Sequence, residues 1–598
     1  MNLTEIKSFY KQIIEKETLK RLQLKKRIFH VGTLRLLIVL ACIFATYSLW
    51  GNALTVVATI FVLAVAFAAL MLHHNRLYKR KLYAEIQIRN AENELKGFDY
   101  DFSAFDGAPE KVEQEHSFSL DLDLFGKRSF FQSINRSVTS FGKDYLANSI
   151  QFPFDDKKAI LRQQEAIREL SRNPKLAAHF RAIGQMSGAD NFNLKDFSDS
   201  FSRTPYFYGN KFWQVMVYIT PLLYMLLGIF CALNILTGIS FLYLWIISLG
   251  ISLLPMKKSM RIFGVFDKKT STLETYSQLF EVLENESFQS ELLKQNQEQV
   301  NGLYKASQAV ARLKSYHNNL GLSASFPVIL FFNPVLLWNV RYALQIEKWL
   351  QQHKNDINRW FNAIACFDSL ISMSVFAYNH PNYIYPEISD SFVFEGKKLG
   401  HPLIHRDTCV RNDVCMTEKP YFLVVTGANM AGKSTYLRTI GINHMLACTG
   451  MPVCAESLVF YPSKLVTNLR TADSLADNES YFFAELKRLK MIIDRLQVGE
   501  ELFIILDEIL KGTNSEDKQK GSLALMRQLV QLGGTGIIAT HDLLLGKLED
   551  EYPQYVKDYC FEADIKDDHL SFSYQMREGV AQNMNACFLM KKMGITGL

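Results

Sequence analysis

The sequence predicts a mostly α-helical chain that carries two transmembrane helical hairpins and ends in an α/β domain of the phosphate-loop (P-loop) type. Three observations carry this. Two long runs in the front half lack any charged residue, amphipathic stretches of helical period surround them, and near residue 384 the pattern changes to short β-rich runs separated by helical segments.

At 598 residues the chain is too long for one compact core. The net charge of +6 invites a nucleic-acid reading, but residues 1–35 hold nine Lys/Arg against Glu5, Glu15 and Glu17, so this segment carries the whole excess. A basic segment next to an apolar run fits a juxtamembrane position better than a DNA-binding face. Nine scattered cysteines without a CxxC pair argue against a disulfide scaffold or zinc ribbon and suit a reducing compartment. His401, His405, Cys409 and Cys415 come nearest to a metal set, but their spacing matches no common zinc pattern, and they read as a loop leading into a strand.

Leu36–Leu72 runs 37 residues without Asp, Glu, Lys or Arg, where one bilayer crossing needs about 20. Gly51 and Asn52 interrupt it, which predicts a hairpin over 34–73 with helices of approximately 34–51 and 53–73. Phe212–Met256, 45 residues, is broken near "LNILTGIS" and predicts a second hairpin over 212–256. Basic residues flank both, namely Lys25, Lys26, Arg27 and Arg35, then Arg76, Lys79, Arg80 and Lys81, then Lys211, then Lys257, Lys258 and Arg261. All four ends are therefore expected on the cytoplasmic side of a multi-pass membrane protein. A third apolar stretch, Ser325–Val340, is shorter, contains Pro327, Asn333 and Pro334, and reads as core packing.

Residues 83–210 and 262–384 are expected to form two parts of one helical core. "KKAILRQQEAIRELSRNPKLAAHF", "SQLFEVLENESFQSELLKQNQEQVNGLYKASQAVARL" and "RYALQIEKWLQQHKNDINRWFNAIACFDSLISM" read as long amphipathic helices. In residues 385–598, "YFLVVTG", "LFIILDE" and "GTGIIATH" alternate with helical segments, which signals a mostly parallel sheet.

"FLVVTGANMAGKST" places a strand before Gly427, then four residues, then Gly432-Lys433-Ser434 at the start of a helix. This is the GxxxxGK[ST] pattern in its strand–loop–helix setting. Its glycines let backbone N–H groups close around phosphates, Lys433 reaches the β/γ-phosphates of ATP, and Ser434 can ligate Mg²⁺. "ELFIILDE" ends a second strand in Asp507-Glu508, where Asp507 could hold the metal and Glu508 polarise the attacking water. His541 closes "GIIATH" as a candidate γ-phosphate contact.

These residues resemble the MutS family of mismatch-repair ATPases. "TGANMAGKST" is similar to the family's Gly-x-Asn-Met-x-Gly-Lys-Ser-Thr through Gly427, Asn429, Met430, Gly432, Lys433, Ser434 and Thr435. Ala428 and Ala431 stand where Pro and Gly are usual. "DEILKGTNSEDK" resembles the Asp-Glu-x-x-x-Gly-Thr segment, and "NESYFFAEL" resembles Ser-Thr-Phe-x-x-Glu through Ser480, Phe482 and Glu485, with Tyr481 replacing Thr. "GHPLIHRDTCVRND" is similar to the family's His-Pro segment, with Asn412 near the expected base contact. "YQMREGVAQNMNACFLMKKMGI" resembles the family's C-terminal helix region, and "FGKRSFFQSINRSVTSFGKDYLANSIQFPFDDKKAILRQQEAIREL" the start of its helical core. The resemblance implies an ABC-type ATPase fold, ATP and Mg²⁺ as ligands, and a head-to-tail homodimer in which Ser480 reaches the partner's nucleotide.

The family's mismatch-reading Phe-x-Glu wedge has no counterpart; Phe483 to Glu485 falls inside the ATPase segment. The expectation is therefore a membrane-anchored ATPase, in a bacterial inner membrane, that couples ATP to double-stranded or branched DNA without reading mismatches. Lys294, Lys305, Arg312 and Lys314 on one helical stretch could line such a duplex. The alternative keeps the motor and directs it at the hairpins or an unknown membrane partner. An ABC transporter is disfavoured, because the Leu-Ser-Gly-Gly-Gln signature is absent.

Overall fold

The computed structural model describes residues 2–186, 205–266, 270–302, 304–428, 430–470, 481–510, 514–566 and 569–581. It opens with two rods, α1 (Leu3–Ser48) and α2 (Ala53–Gly97), joined by a turn in which the Asn52 side chain accepts the Thr55 N–H and caps α2. The basic N-terminal segment expected over 1–33 is thus the proximal part of α1. Ile6, Tyr10, Glu17 and Leu24 are buried there, whereas the apolar distal windows of both helices are fully unburied.

The helical body follows. The first expected amphipathic run divides into α3 (Lys157–Ser171) and α4 (Pro174–Gly184), because Pro174 lacks an N–H and Asn173 turns to cap Leu176. The second apolar run forms α5 (Lys211–Ala232) and α6 (Ile239–Leu253), and α7 (Met256–Phe266) leaves α6 at a 46° bend. The next expected run divides into α8 (Thr270–Asn285), α9 (Glu291–Val300) and α10 (Ala306–Leu322). The first of these breaks is tertiary in origin: the Glu169 carboxylate of α3 accepts the N–H groups of Gln289 and Ser290, both at 2.7 Å. Lys294 therefore lies on a different helix from Arg312 and Lys314, and Lys314 is paired with Glu274 at 2.9 Å.

Residues 325–340 depart from the core reading. Asn333, Pro334, Leu337 and Val340 are buried, but Phe326, Phe331 and Phe332 are exposed. The stretch makes one wide turn (Val328–Phe332) and a short helix, α11 (Asn333–Leu336), before α12 (Trp338–Asn379) begins. Helix α12 has 42 residues, about 63 Å, and is the spine of the body.

Among the described residues, four helices are long and apolar enough to cross a membrane: α1, α2, α5 and α12. The apolar window of α12 is 89% buried inside the protein, so its hydropathy is explained by packing. Helix α6, at 15 residues, reaches that length only together with α7 beyond the bend.

A buried ionic joint ties the first hairpin to the spine. Glu94 of α2 accepts from Arg136 (2.7 Å) and Arg181 (2.7 Å), and from the Asn379 carboxamide (2.9 Å), whose oxygen accepts the Tyr10 hydroxyl of α1. Burial pushes the Glu94 carboxyl up, but the two guanidiniums outweigh it and hold it below the usual range.

Among its described residues the C-terminal part forms two sheets. A four-stranded sheet has the order β1-β5-β2-β3, from β1 (Glu387–Ile388), β2 (Phe394–Leu399), β3 (Asn412–Met416) and β5 (Ser457–Phe460). A six-stranded sheet has the order β10-β9-β4-β8-β7-β6, from β4 (Tyr421–Gly427), β6 (Lys464–Asn468), β7 (Leu502–Asp507), β8 (Thr535–Thr540), β9 (Val556–Lys566) and β10 (His569–Glu578). It is parallel from β9 to β6, and only β10 runs antiparallel. Strands β4, β7 and β8 are the three β-rich runs of the sequence. Residues 574–578 of the expected C-terminal helix region lie instead in β10, and residues 582–598 fall outside the described residues. The body grips this part through Asp121, whose carboxylate accepts from the Thr467 hydroxyl and the N–H groups of Leu469 and Arg470.

Candidate active site

Strand β4 lies between β8 and β9, and β7 lies beyond β8, so the loops leaving β4, β7 and β8 emerge side by side at one sheet edge. In α/β sheets of this kind ligands bind at that carboxyl edge. Leaving β4, the chain turns at Gly427, whose φ is +145°; a Cβ there would stand 2.4 Å from the Phe561 carbonyl oxygen. Met430 (φ +68°, side chain exposed) and Gly432 (φ +108°) complete the loop, and α13 (Lys433–Cys448) starts at once. Lys433, Ser434 and Thr435 form its first turn, whose unpaired N–H groups suit an anion.

Lys433 is buried. Its ammonium donates to the carbonyls of Gly427 (2.6 Å) and Ala428 (3.0 Å) and stands 3.3 Å from His541 Nε2. Burial pushes its pKa down to about 8, against the opposite pull of Asp507 and Glu508. Ser434 Oγ donates to Asp507 Oδ2 at 2.5 Å. Two hard oxygen donors thus converge where the helix start meets the end of β7, a donor set that fits Mg²⁺ completed by water and phosphate oxygens.

Glu508 has φ +50°, and its N–H donates to the Ala539 carbonyl, while Leu510 has φ +59°. This tight turn aims the Glu508 carboxylate at His541, with Oε1 2.5 Å from Nε2. At that distance Nε2 carries the proton and donates it to the carboxylate. The turn is held from below by Glu485, nearly fully buried on α14 (Tyr481–Gln497), which accepts the Leu510 N–H at 2.7 Å.

The side chains thus form two contact groups, Lys433–His541–Glu508 and Ser434–Asp507, joined through the chain because Lys433 adjoins Ser434 and Asp507 adjoins Glu508; Gly427, Met430, Gly432 and Thr435 frame them. Asn429 and Ser480 lie outside the described residues. Asn412, expected near the base contact, pairs with β10: its carboxamide donates to the Tyr574 carbonyl (3.0 Å) and accepts the Met576 N–H (2.8 Å). His401 and His405 each accept a backbone N–H within the turn that leads to β3.

Sequence reasoning missed Tyr574. Its φ is +54°, it lies near Phe572 with ring planes 25° apart, and its ring edge is 3.1 Å from where a Gly432 Cβ would be. It thus stands over the loop, on a strand whose pairing with β9 brings it there; an aromatic alternating with polar residues was the one signal available.

Residues 423–594 match the family model MutS domain V. The chain is 28% identical over 251 residues to the DNA mismatch repair protein MutS of Thermotoga sp. (strain RQ2), covering 41% of this chain and 31% of that protein. It is 28% identical over 246 residues to the human MutS protein homolog 4, covering 40% of this chain and 26% of that protein. With the DNA mismatch repair protein MSH4 of Arabidopsis thaliana it shares 33% identity over 201 residues, 33% of this chain and 25% of that protein. The matched stretch thus spans less than a third of the length of each of these relatives. The family-model match takes in the phosphate loop, Asp507-Glu508 and His541 together, so residues 423–594 are a MutS domain V and the likeness to the MutS family rests on this domain.

Proposed function

We propose that the protein is a membrane-anchored ATPase that binds and hydrolyses ATP at a head-to-tail dimer interface. The observation that supports this most is the pair of contact groups Lys433–His541–Glu508 and Ser434–Asp507, side by side at the carboxyl edge of the sheet. The phosphates of ATP would lie over the loop from Gly427 to Gly432 and against the first turn of α13. Lys433, poorly solvated and held at its carbonyl contacts, would gain a counter-charge from the β/γ-phosphates. Ser434 and Asp507 would hold Mg²⁺, which supplies charge neutralisation at the phosphate oxygens when bound.

Glu508 would orient a water for in-line attack on the γ-phosphate and take its proton. His541 holds the Glu508 carboxylate in place and stands beside Lys433, where it would sense the γ-phosphate. Tyr574 would give the nucleobase a stacking face, with Asn412 fixing the Tyr574 backbone. Ser480 would complete the site from the partner subunit.

The two hairpins, 34–73 and 212–256, would span the membrane as four crossings, with the helical core (83–210 and 262–384) and the ATPase domain (385–598) in the cytoplasm. The relatives' names, DNA mismatch repair protein, support double-stranded or branched DNA as the cargo. A second reading, in which the motor works on the membrane itself, is favoured by the base of α12, where Asn339 and Arg341 donate to backbone carbonyls of α6 and α5.

ATP turnover of the full-length protein in nanodiscs, alone and with homoduplex, mismatched and branched DNA across a salt series, separates the two. Stimulation by a DNA form that weakens with salt supports the first, since phosphate contacts release counterions. Intact turnover indifferent to every DNA supports the second, and no turnover under any condition overturns both.

A further inference from the structure

The stretch 325–337 is unlike the rest of the helical body. Residues 315–340 contain no Asp, Glu, Lys or Arg, and Leu322, Phe326, Phe331 and Phe332 present their side chains to the outside. Exposed aromatic side chains in such a run need an apolar neighbour. The neighbour within the chain is the second hairpin. The indole Nε1–H of Trp245 donates to the Leu330 carbonyl at 2.9 Å, and Trp245 lies near the middle of α6. It is eight residues from Leu253, about 12 Å along the helix, which is close to half the thickness of a bilayer's hydrocarbon core.

The return limb is fixed just as specifically. Leu337 (φ +46°) reverses the chain, and α12 then begins against the ends of both hairpin helices. Asn339 Nδ2 donates to the Ser252 carbonyl at 2.9 Å, in the last turn of α6, where carbonyls have no helical partner. Arg341 Nη2 donates to the Val217 carbonyl at 3.1 Å, the carbonyl orphaned in α5 because Pro221 has no N–H. Asn333, fully buried, accepts the Asn339 N–H at 3.0 Å and closes the base of the loop. Residues 325–337 therefore rise from the base of α12 to mid-height on α6 and come back.

We propose that residues 325–337 are a re-entrant loop seated in the cytoplasmic leaflet beside the second hairpin, with Phe326, Phe331 and Phe332 against lipid acyl chains. This rests on the membrane reading of α5 and α6. Irregular backbone is tolerated at such depth only where its polar groups find partners in the protein. The Trp245 indole supplies one for Leu330, the carbonyls of Ser325, Val328 and Asn333 accept the N–H groups of Ile329, Asn333 and Leu337, and Pro327 and Pro334 bring no N–H to satisfy. The spine helix α12 is then rooted in the bilayer at one end, while Asn379 at its other end meets the joint around Glu94.

The test places photoreactive benzoylphenylalanine at one exposed aromatic position at a time in the full-length protein, in nanodiscs of phosphatidylethanolamine and phosphatidylglycerol. The positions are Phe331, Tyr243 on α6 and Phe152 in the helical body. After irradiation, adducts are identified by mass spectrometry. The expected result is lipid adducts at 331 and 243 in comparable yield and none at 152. Lipid adducts at 243 without any at 331 overturn the loop proposal alone, as do adducts at 331 to a second copy of the chain or to added DNA. Absence of lipid adducts at both 243 and 331 overturns the membrane reading of the hairpin as well.

Discussion

His541 Nε2 stands 2.5 Å from Glu508 Oε1, so the histidine that closes β8 and the carboxylate that follows β7 form one hydrogen-bonded unit. The unit sits 3.3 Å from the Lys433 ammonium, so loop, carboxylate and imidazole are set against each other. Each part then has its own measurable consequence.

Lys433 titrates near pH 8 because burial disfavours its charge. A phosphate binds the charged form, so above pH 8 binding must recover a proton that the free protein has lost. Affinity for a non-hydrolysable ATP analogue should weaken about tenfold from pH 7 to pH 9. Calorimetric titration across that range checks it; a flat profile would show that Lys433 stays charged in the free protein.

Glu485 acts on the chemistry through the Leu510 N–H that it accepts. Glu485→Ala should lower kcat by about 10-fold or more while KM for ATP moves little, since the tight turn carrying Glu508 loses its support. Glu485→Gln keeps an acceptor oxygen and should restore most of the rate. Equal loss in both variants would assign Glu485 to charge and not to positioning.

The joint at Glu94 is a buried charge facing two guanidiniums. Glu94→Gln leaves Arg136 and Arg181 without their counter-charge and should cost about 3–5 kcal/mol of stability. Thermal unfolding of the solubilised protein, followed by tryptophan fluorescence, reads this as a lowered midpoint.

His444 is fully buried, donates Nε2–H to the Ser463 carbonyl and stacks on Phe503. Burial pushes it down to about 4, so the folded state resists a proton that the unfolded chain accepts near 6.5. The resulting stability is present above pH 6.5 and is lost as pH falls towards 4, by about 3 kcal/mol. His444→Gln should flatten that part of the acid unfolding profile, measured by the same fluorescence.

The phosphate loop was legible in the sequence because its chemistry is local: Gly427, Gly432, Lys433 and Ser434 are close neighbours on one strand, loop and helix. Asp507, Glu508 and His541 were legible because each ends an apolar run. The contact of Asn412 with Tyr574 was not legible, since only the pairing of β10 with β9 brings residue 574 beside residue 412. The break at Asn173-Pro174 had a local signal, whereas the break before Ser290 depends on Glu169, remote in sequence. Residues 325–340 misled for a related reason: hydropathy reports burial from water and does not distinguish a protein core from the flank of an apolar helix.

The measurement that tests the account most directly is ATP binding and turnover by Glu508→Gln beside the unchanged protein, both full-length in nanodiscs. The account predicts retained nucleotide binding, a turnover reduced about 100-fold or more, and accumulation of an ATP-bound closed dimer. Turnover at the unchanged rate would contradict it, because the carboxylate that His541 holds at 2.5 Å would then have no part in the reaction.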